Sequence, residues 1–145
     1  MKRLGMVAVC AAMFAAPAWA ASVVVTSAFA RATLPGSDTA VVYMTLVSDT
    51  GDKLTGASTP VAVSAMMHKT SMAGMVMSMD MVSAIDLPAG QKVVLQPDQL
   101  HIMLEGLRHP LVKGTTIPLQ LIFAKSPAET VTVPVAGFAA MTPGG

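Results

Sequence analysis

The sequence predicts an all-β domain, a Greek-key barrel or sandwich of about eight short strands. Three observations carry that expectation. Short runs are rich in Val, Thr and Tyr, and clusters of Gly, Pro, Ser and Asp punctuate them at regular spacing. No segment sustains a long apolar period of 3.6 residues. Taken in order, Val23 to Phe29 and Thr39 to Ser48 read as strands separated by the turn formers Leu34-Pro35-Gly36-Ser37-Asp38. Asp49-Thr50-Gly51-Asp52 closes the second strand, and Lys53 to Ser58 is a short third one that Thr59-Pro60 ends. Val61 to Thr70 and Met75 to Val82 follow, joined by Ser71-Met72-Ala73-Gly74. Leu87-Pro88-Ala89-Gly90 reads as a loop before Lys92 to Leu95 and Leu100 to Leu104. Gly106 to Gly114, with Pro110, is a connection, and Ile117 to Lys125 and Thr130 to Val135 are the last strands. Ala136 to Gly145 is expected to be loosely held.

Residues 1–20 have the layout of a cleaved export signal. Lys2 and Arg3 supply the positive start, Leu4 to Ala16 the apolar stretch, and Ala18-Trp19-Ala20 the small-residue cleavage site. The apolar stretch is too short to span a bilayer, and no later run reaches about 18 apolar residues. Val9 precedes Cys10 where lipidation expects a small residue, so cleavage is expected after Ala20. Residues 21–145 then form a single β-domain without cysteine, exported to the periplasm. Lack of cysteine excludes a disulfide framework, a thiolate nucleophile, a zinc ribbon and a blue-copper centre. Nine Lys or Arg against eight Asp or Glu leave no basic footprint for nucleic acid. An apolar share of 53% is too high for a disordered chain.

The chemistry-bearing residues are His68, Met79, His101 and Met103. Ten residues separate His68 from Met79, twenty-one separate Met79 from His101, and one separates His101 from Met103. Imidazoles with thioethers, and no thiol, favour monovalent copper over zinc, iron or magnesium. In Leu100 to Leu104 the strand alternation sends Leu100, Ile102 and Leu104 to the core and His101 and Met103 outward. If Ala73-Gly74 forms a two-residue turn, Met72 pairs with Met75, Thr70 with Met77, and His68 with Met79. Ala73 is a poor first residue for such a turn, and a different loop would change the register.

Plainer roles compete for the same residues. Seven methionines fall between Met66 and Met81, and Met fills irregular core gaps well. Met67, on the parity of Val61, Val63 and Ala65, is expected in the core. Met75, Met77, Met79 and Met81 share a face and either extend a metal site or simply pack. His109 precedes Pro110 in a connection and is expected to have no metal role. No paired carboxylates and no G-x-S-x-G motif are present, so no enzyme is expected.

With those residues in view, the chain resembles the periplasmic copper chaperone family known as PCuAC. The His68, Met79, His101, Met103 spacing matches the family's His-x10-Met-x21-His-x-Met motif without a gap. Ala30-Arg31-Ala32-Thr33-Leu34-Pro35-Gly36, Val42-Tyr43-Met44 and Gly51-Asp52-Lys53-Leu54 support the match. The resemblance implies a cupredoxin-like barrel lacking the blue-copper cysteine, and an exposed Cu(I) site made by His68, Met79, His101 and Met103. It implies a copper-accepting partner, the copper subunit of cytochrome c oxidase or another copper chaperone. Some members carry a His- and Met-rich C-terminal extension; here the tail offers only Met141. The rival readings are a copper- or silver-buffering protein without a dedicated acceptor, and an adhesion-like β-domain with a Met-rich surface. The intact mass of the exported protein is expected to correspond to a chain starting at unmodified Ala21. A lipid-modified Cys10 at the N-terminus would overturn that reading.

Overall fold

The computed structural model describes residues 22–145, and the export signal read at 1–20 lies outside them. The described residues form strands and turns without a helix: β1 (Val23–Arg31), β2 (Thr39–Ser48), β3 (Asp52–Ser58), β4 (Ala62–Ala73), β5 (Val76–Met81), β6 (Ile85–Leu87), β7 (Lys92–Leu95), β8 (Leu100–Leu107), β9 (Thr116–Phe123) and β10 (Glu129–Ala136). No helix of these residues is long and apolar enough to cross a membrane. The expected all-β architecture holds. The additional short strand is β6, in a stretch whose end had read as a loop; three residues are too few to show alternation.

The strands follow the order β4-β8-β2-β1-β10-β9-β3, and the Ala57–Ala65 pairing of β3 with β4 closes them into a barrel. Closure leaves those seven strands without a free edge over most of their length. All pairings between neighbouring strands of that ring are antiparallel except β1 with β10, where Ala30 faces Val135 in parallel register. Long strands divide their length between neighbours. The first half of β2 pairs with β8 and the second half with β7. β4 pairs with β3 near its start and with β8 along most of its length, while its far end runs into a hairpin with β5.

Alternation explains the interior. β9 alternates exposed and buried positions without a break, because successive side chains point to opposite faces of a strand. Val42, Met44, Leu46, Leu54, Ile102, Leu104, Leu119, Leu121 and Val133 fill the barrel and are almost wholly buried. Met67 joins them, as expected, whereas Val63 of the same parity is 73% exposed. A second, smaller cluster lies apart from that core, where Phe29 and Tyr43 pack with Ala136 and Ala140. The C-terminal segment is therefore not loose. It folds back so that Arg31 Nε donates to the Ala140 carbonyl at 2.8 Å, and the Gly137 amide bonds the Gly145 carbonyl at 3.0 Å.

Gly106 permits a close crossing of β4 and β8. Its φ is +69°, and a Cβ there would meet the Val63 side chain at 2.8 Å. Asp52 fastens the barrel at the start of β3. Its carboxylate accepts from the amides of Lys53, Lys125 and Ser126 and from the Ser126 hydroxyl, tying the start of β3 to the β9–β10 connection. Burial alone raises its pKa, yet the Ser126 hydroxyl and the three amides outweigh it and bring the value down to about 2. A carboxylate held below its unfolded value stabilises the fold above that value, and the contribution is lost as pH falls through the folded pKa. Asp52→Asn is expected to cost about 2 kcal/mol at neutral pH. It should also flatten the acid limb of stability between about pH 5 and pH 2 in urea unfolding. An unchanged acid limb would sink this account.

Candidate metal centre

Strand register brings the two expected imidazoles together. β4 and β8 pair antiparallel with His68 directly opposite His101, and their ring centroids lie 5.8 Å apart, edge to face. Both strands carry inward apolar residues on the opposite parity, Met67 on β4 and Ile102 and Leu104 on β8. The imidazoles are thus held on the outside of the barrel wall. His101 is nevertheless only 3% exposed, which corrects the expected exposed site. Tyr43 of β2 stands edge-on to it at 6.4 Å, and Phe29 packs on the Tyr43 ring in turn, with Ala136 and Ala140 in the same cluster.

The Gln99 carbonyl fixes the tautomer of His101. It lies 3.0 Å from His101 Nδ1 and also accepts from the Thr70 amide at 3.2 Å. A carbonyl only accepts, so Nδ1 carries the proton and Nε2 keeps a free lone pair. That Nε2 is buried without a hydrogen-bond partner, and so is His68 Nδ1. An unpartnered buried nitrogen costs about 1–3 kcal/mol, and here two occur on directly opposed residues. A metal ion accepting both lone pairs would remove that cost.

The thioethers are arranged around this pair in a way the expected hairpin did not give. β4 and β5 are joined by Gly74 and Met75, with Ala73 opposite Val76, Met72 opposite Met77, Thr70 opposite Met79 and His68 opposite Met81. The register differs by two residues from the expected His68–Met79 pairing. The left-handed φ falls on Gly74, at +64°, as the first central residue, the position glycine takes in a type II′ turn. A slip of two keeps every side chain on its face, so Met79 sits diagonal to His68 on the same side. Met79 and Met77 line a shallow pocket of about 180 Å³ with His101, Tyr43, Thr70 and Asp98. Met81 faces a different pocket, beside Met66 and Val82. Met103 follows His101 on the outer face of β8 and lies between Met66 of β4 and Val41 of β2.

The donor set is short of oxygen and nitrogen. Among the described residues no three His, Cys, Asp or Glu side chains gather in one place. A metal bound by the two imidazoles could complete its shell from neighbouring thioethers, a donor set that suits a soft monovalent ion. His109 lies in the β8–β9 connection with Nδ1 3.2 Å from the Pro110 carbonyl. Tyr43, Gln99 and Arg31 shape the site, although the sequence assigns none of them a role in it. Arg31 stacks 5.3 Å over the Tyr43 ring, and burial raises the Tyr43 pKa, with Arg31 opposing and Asp98 adding to the rise. Gln99 acts through its backbone, which no side-chain motif records.

Comparison with known proteins places the chain in a family and agrees with its fold. Residues 23–135 match the family described as "Putative lipoprotein LpqE-like". The chain is 34% identical over 114 residues to "Putative lipoprotein Lxx21020" of Leifsonia xyli subsp. xyli, a match covering 78% of this chain and 61% of that one. It thus spans about three fifths of the length of that curated relative. In structure it is similar to the copper-bound PCuAC domain from PmoF2, with a TM-score of 0.70 and 23% identity over 81% of this chain and 95% of that one. The Cu(I) form of DR1885 from Deinococcus radiodurans gives a TM-score of 0.63 and 36% identity over 82% of this chain and 81% of that one. The apo form gives 0.62 and 33%, covering 94% and 97%. These relatives share the all-β, cupredoxin-like fold.

The hairpin register rests on the left-handed turn residue. Gly74→Val is expected to destabilise the β4–β5 hairpin locally by roughly 1–3 kcal/mol. Amide exchange should quicken from Ser71 to Ser78 while the core strands keep their protection. Unchanged exchange at those amides would show that the turn does not hold the register.

Proposed function

We propose, from the premise that this chain belongs to the LpqE-like family and has the fold of PCuAC domains, that it is an exported Cu(I)-binding chaperone. One observation carries the reading. His68 and His101 face each other across β4 and β8, each with a buried imidazole nitrogen left without a partner. The proposed ligands are those two nitrogens with the sulfurs of Met79 and Met103. Met79 is preferred to Met81, although Met81 stands opposite His68, because Met79 shares the pocket of His101. Copper here is cargo, and the protein supplies a shaped holding place for it.

The uneven burial of the four residues suggests how cargo leaves. His101 is enclosed and fixed by Gln99, whereas Met79 is 53% exposed on a hairpin outside the barrel. An acceptor would displace the accessible thioether first and the buried imidazole last, exchanging ligands without exposing a free ion. Thioethers suit an oxidising compartment, where thiol ligands are readily lost to disulfides. The domain 21–145 would act in the periplasm after removal of residues 1–20. Its acceptor would be the copper subunit of cytochrome c oxidase or another copper chaperone.

A Cu(I) titration against a chromophoric chelator under reducing conditions tests the site. One tight equivalent is expected, lost or weakened in His68→Ala, His101→Ala, Met79→Leu and Met103→Leu and retained in Met81→Leu. Each ligand substitution should cost more than the roughly tenfold to hundredfold that follows loss of an outer partner. No competition with the chelator would sink the proposal. Transfer to a purified oxidase copper domain separates a chaperone from a buffering protein, which would hold its copper.

A further inference from the structure

The β4–β5 hairpin has two faces of opposite chemistry. On one face Lys69 stands opposite Asp80, and Ser71 opposite Ser78 with their hydroxyls 2.9 Å apart. On the other, His68 stands opposite Met81, Thr70 opposite Met79, and Met72 opposite Met77. The Met72–Met77 pair lies beyond the last residues that join β4 to β8, Lys69–Leu100 and the Thr70 amide on Gln99, so no third strand supports it. Met72 and Met77 are each more than half exposed, and Met75, in the turn between them, is 99% exposed. Packing therefore does not account for three thioethers at this tip. β-Structure does not call for them either, since β-branched and aromatic residues fill strands better.

We propose that this tip is a second Cu(I) site, weaker than the first and built from Met72, Met75 and Met77, which takes up the ion and passes it to Met79. Directly opposed residues hold their Cβ atoms about 4.5–5.5 Å apart, and three rotatable bonds let each thioether turn its sulfur inward. The set contains no nitrogen or oxygen side chain, so it selects a soft ion. Met77 belongs to the tip and also lines the pocket of Met79 and His101, about 7 Å along the strand from Met79. The ion moves by exchange of one thioether for another. Copper stays monovalent throughout, and no proton is taken or released. The transfer half of this proposal rests on the copper-carrier reading above; the tip as a binding site does not.

The test titrates Cu(I) into the exported protein labelled with 13C at the methionine methyls, under reducing conditions. Three proteins are compared: the natural sequence, His68→Ala/His101→Ala, and Met72→Leu/Met75→Leu, which spares Met77 because it also lines the main pocket. These methionines are exposed, and leucine keeps their apolar bulk while removing sulfur, so folding is preserved. The natural protein is expected to bind a tight and a weaker equivalent. The double alanine variant should lose the tight one and still shift the Met72, Met75 and Met77 methyls. The double leucine variant should keep the tight equivalent, lose the weaker one and load more slowly. Silent tip methyls in the alanine variant, or two equivalents retained in the leucine variant, would overturn the tip site. The latter result is also what a surface used only to dock a protein would give. Tip methyls that respond in a natural protein lacking a tight equivalent would uphold the tip as a site and overturn the main centre and the transfer.

Discussion

The register between β4 and β8 is the constraint on which the rest of the site depends. It sets His68 against His101 with their rings 5.8 Å apart. A slip of one residue would turn one imidazole into the barrel, and a slip of two would leave the pair diagonal. Two features hold the register. Met67, Ile102 and Leu104 must face the core, where each large side chain stabilises the fold by about 1.5–3 kcal/mol through burial. Gly106 lets the strands approach where any side chain would strike Val63.

A closed barrel gives this pair a rigid base, and the outer aromatic cluster gives it a cover. Phe29, Tyr43, His101 and His68 stand on four neighbouring strands, β1, β2, β8 and β4, in successive ring contacts. The C-terminal segment closes over the Phe29 end through Ala136 and Ala140. One imidazole thereby loses contact with water while its partner strand continues outward into a free hairpin. In the proposed copper site, burial of a nitrogen donor beside accessible sulfur donors would let the protein hold an ion and still release it. The burial costs free energy, since two nitrogens lack partners, and that cost would favour a metal-bound state.

The hairpin departs from ordinary surface composition for the same reason. Its outer sulfur face is exposed, although an export compartment offers no protection from aggregation or oxidation. The polar Lys69–Asp80 and Ser71–Ser78 pairs on its other face keep it soluble and paired. A sheet edge rich in flexible thioethers is poorly suited to packing and well suited to a soft ion.

The sequence by itself determined the fold class, most strand positions, the core role of Met67 and the donor chemistry. Alternation and turn residues are local properties, and they survive in any all-β arrangement. Of the four residues in the His-x10-Met-x21-His-x-Met spacing, the fold sets His68 against His101 and puts Met79 in the pocket of His101, while Met103 lies two residues along β8 between Met66 and Val41. Local pattern could not decide which turn residue takes the left-handed conformation, so it gave a hairpin register two residues away from the observed one. It also gave no sign of the burial of His101, since Tyr43 of β2 stands against its ring and the Gln99 backbone carbonyl fixes it. The pairing of His68 with His101 was decided only by tertiary structure. It joins strands separated by the β5–β7 stretch, and long-range register is set by the collective burial of a core that no short segment contains.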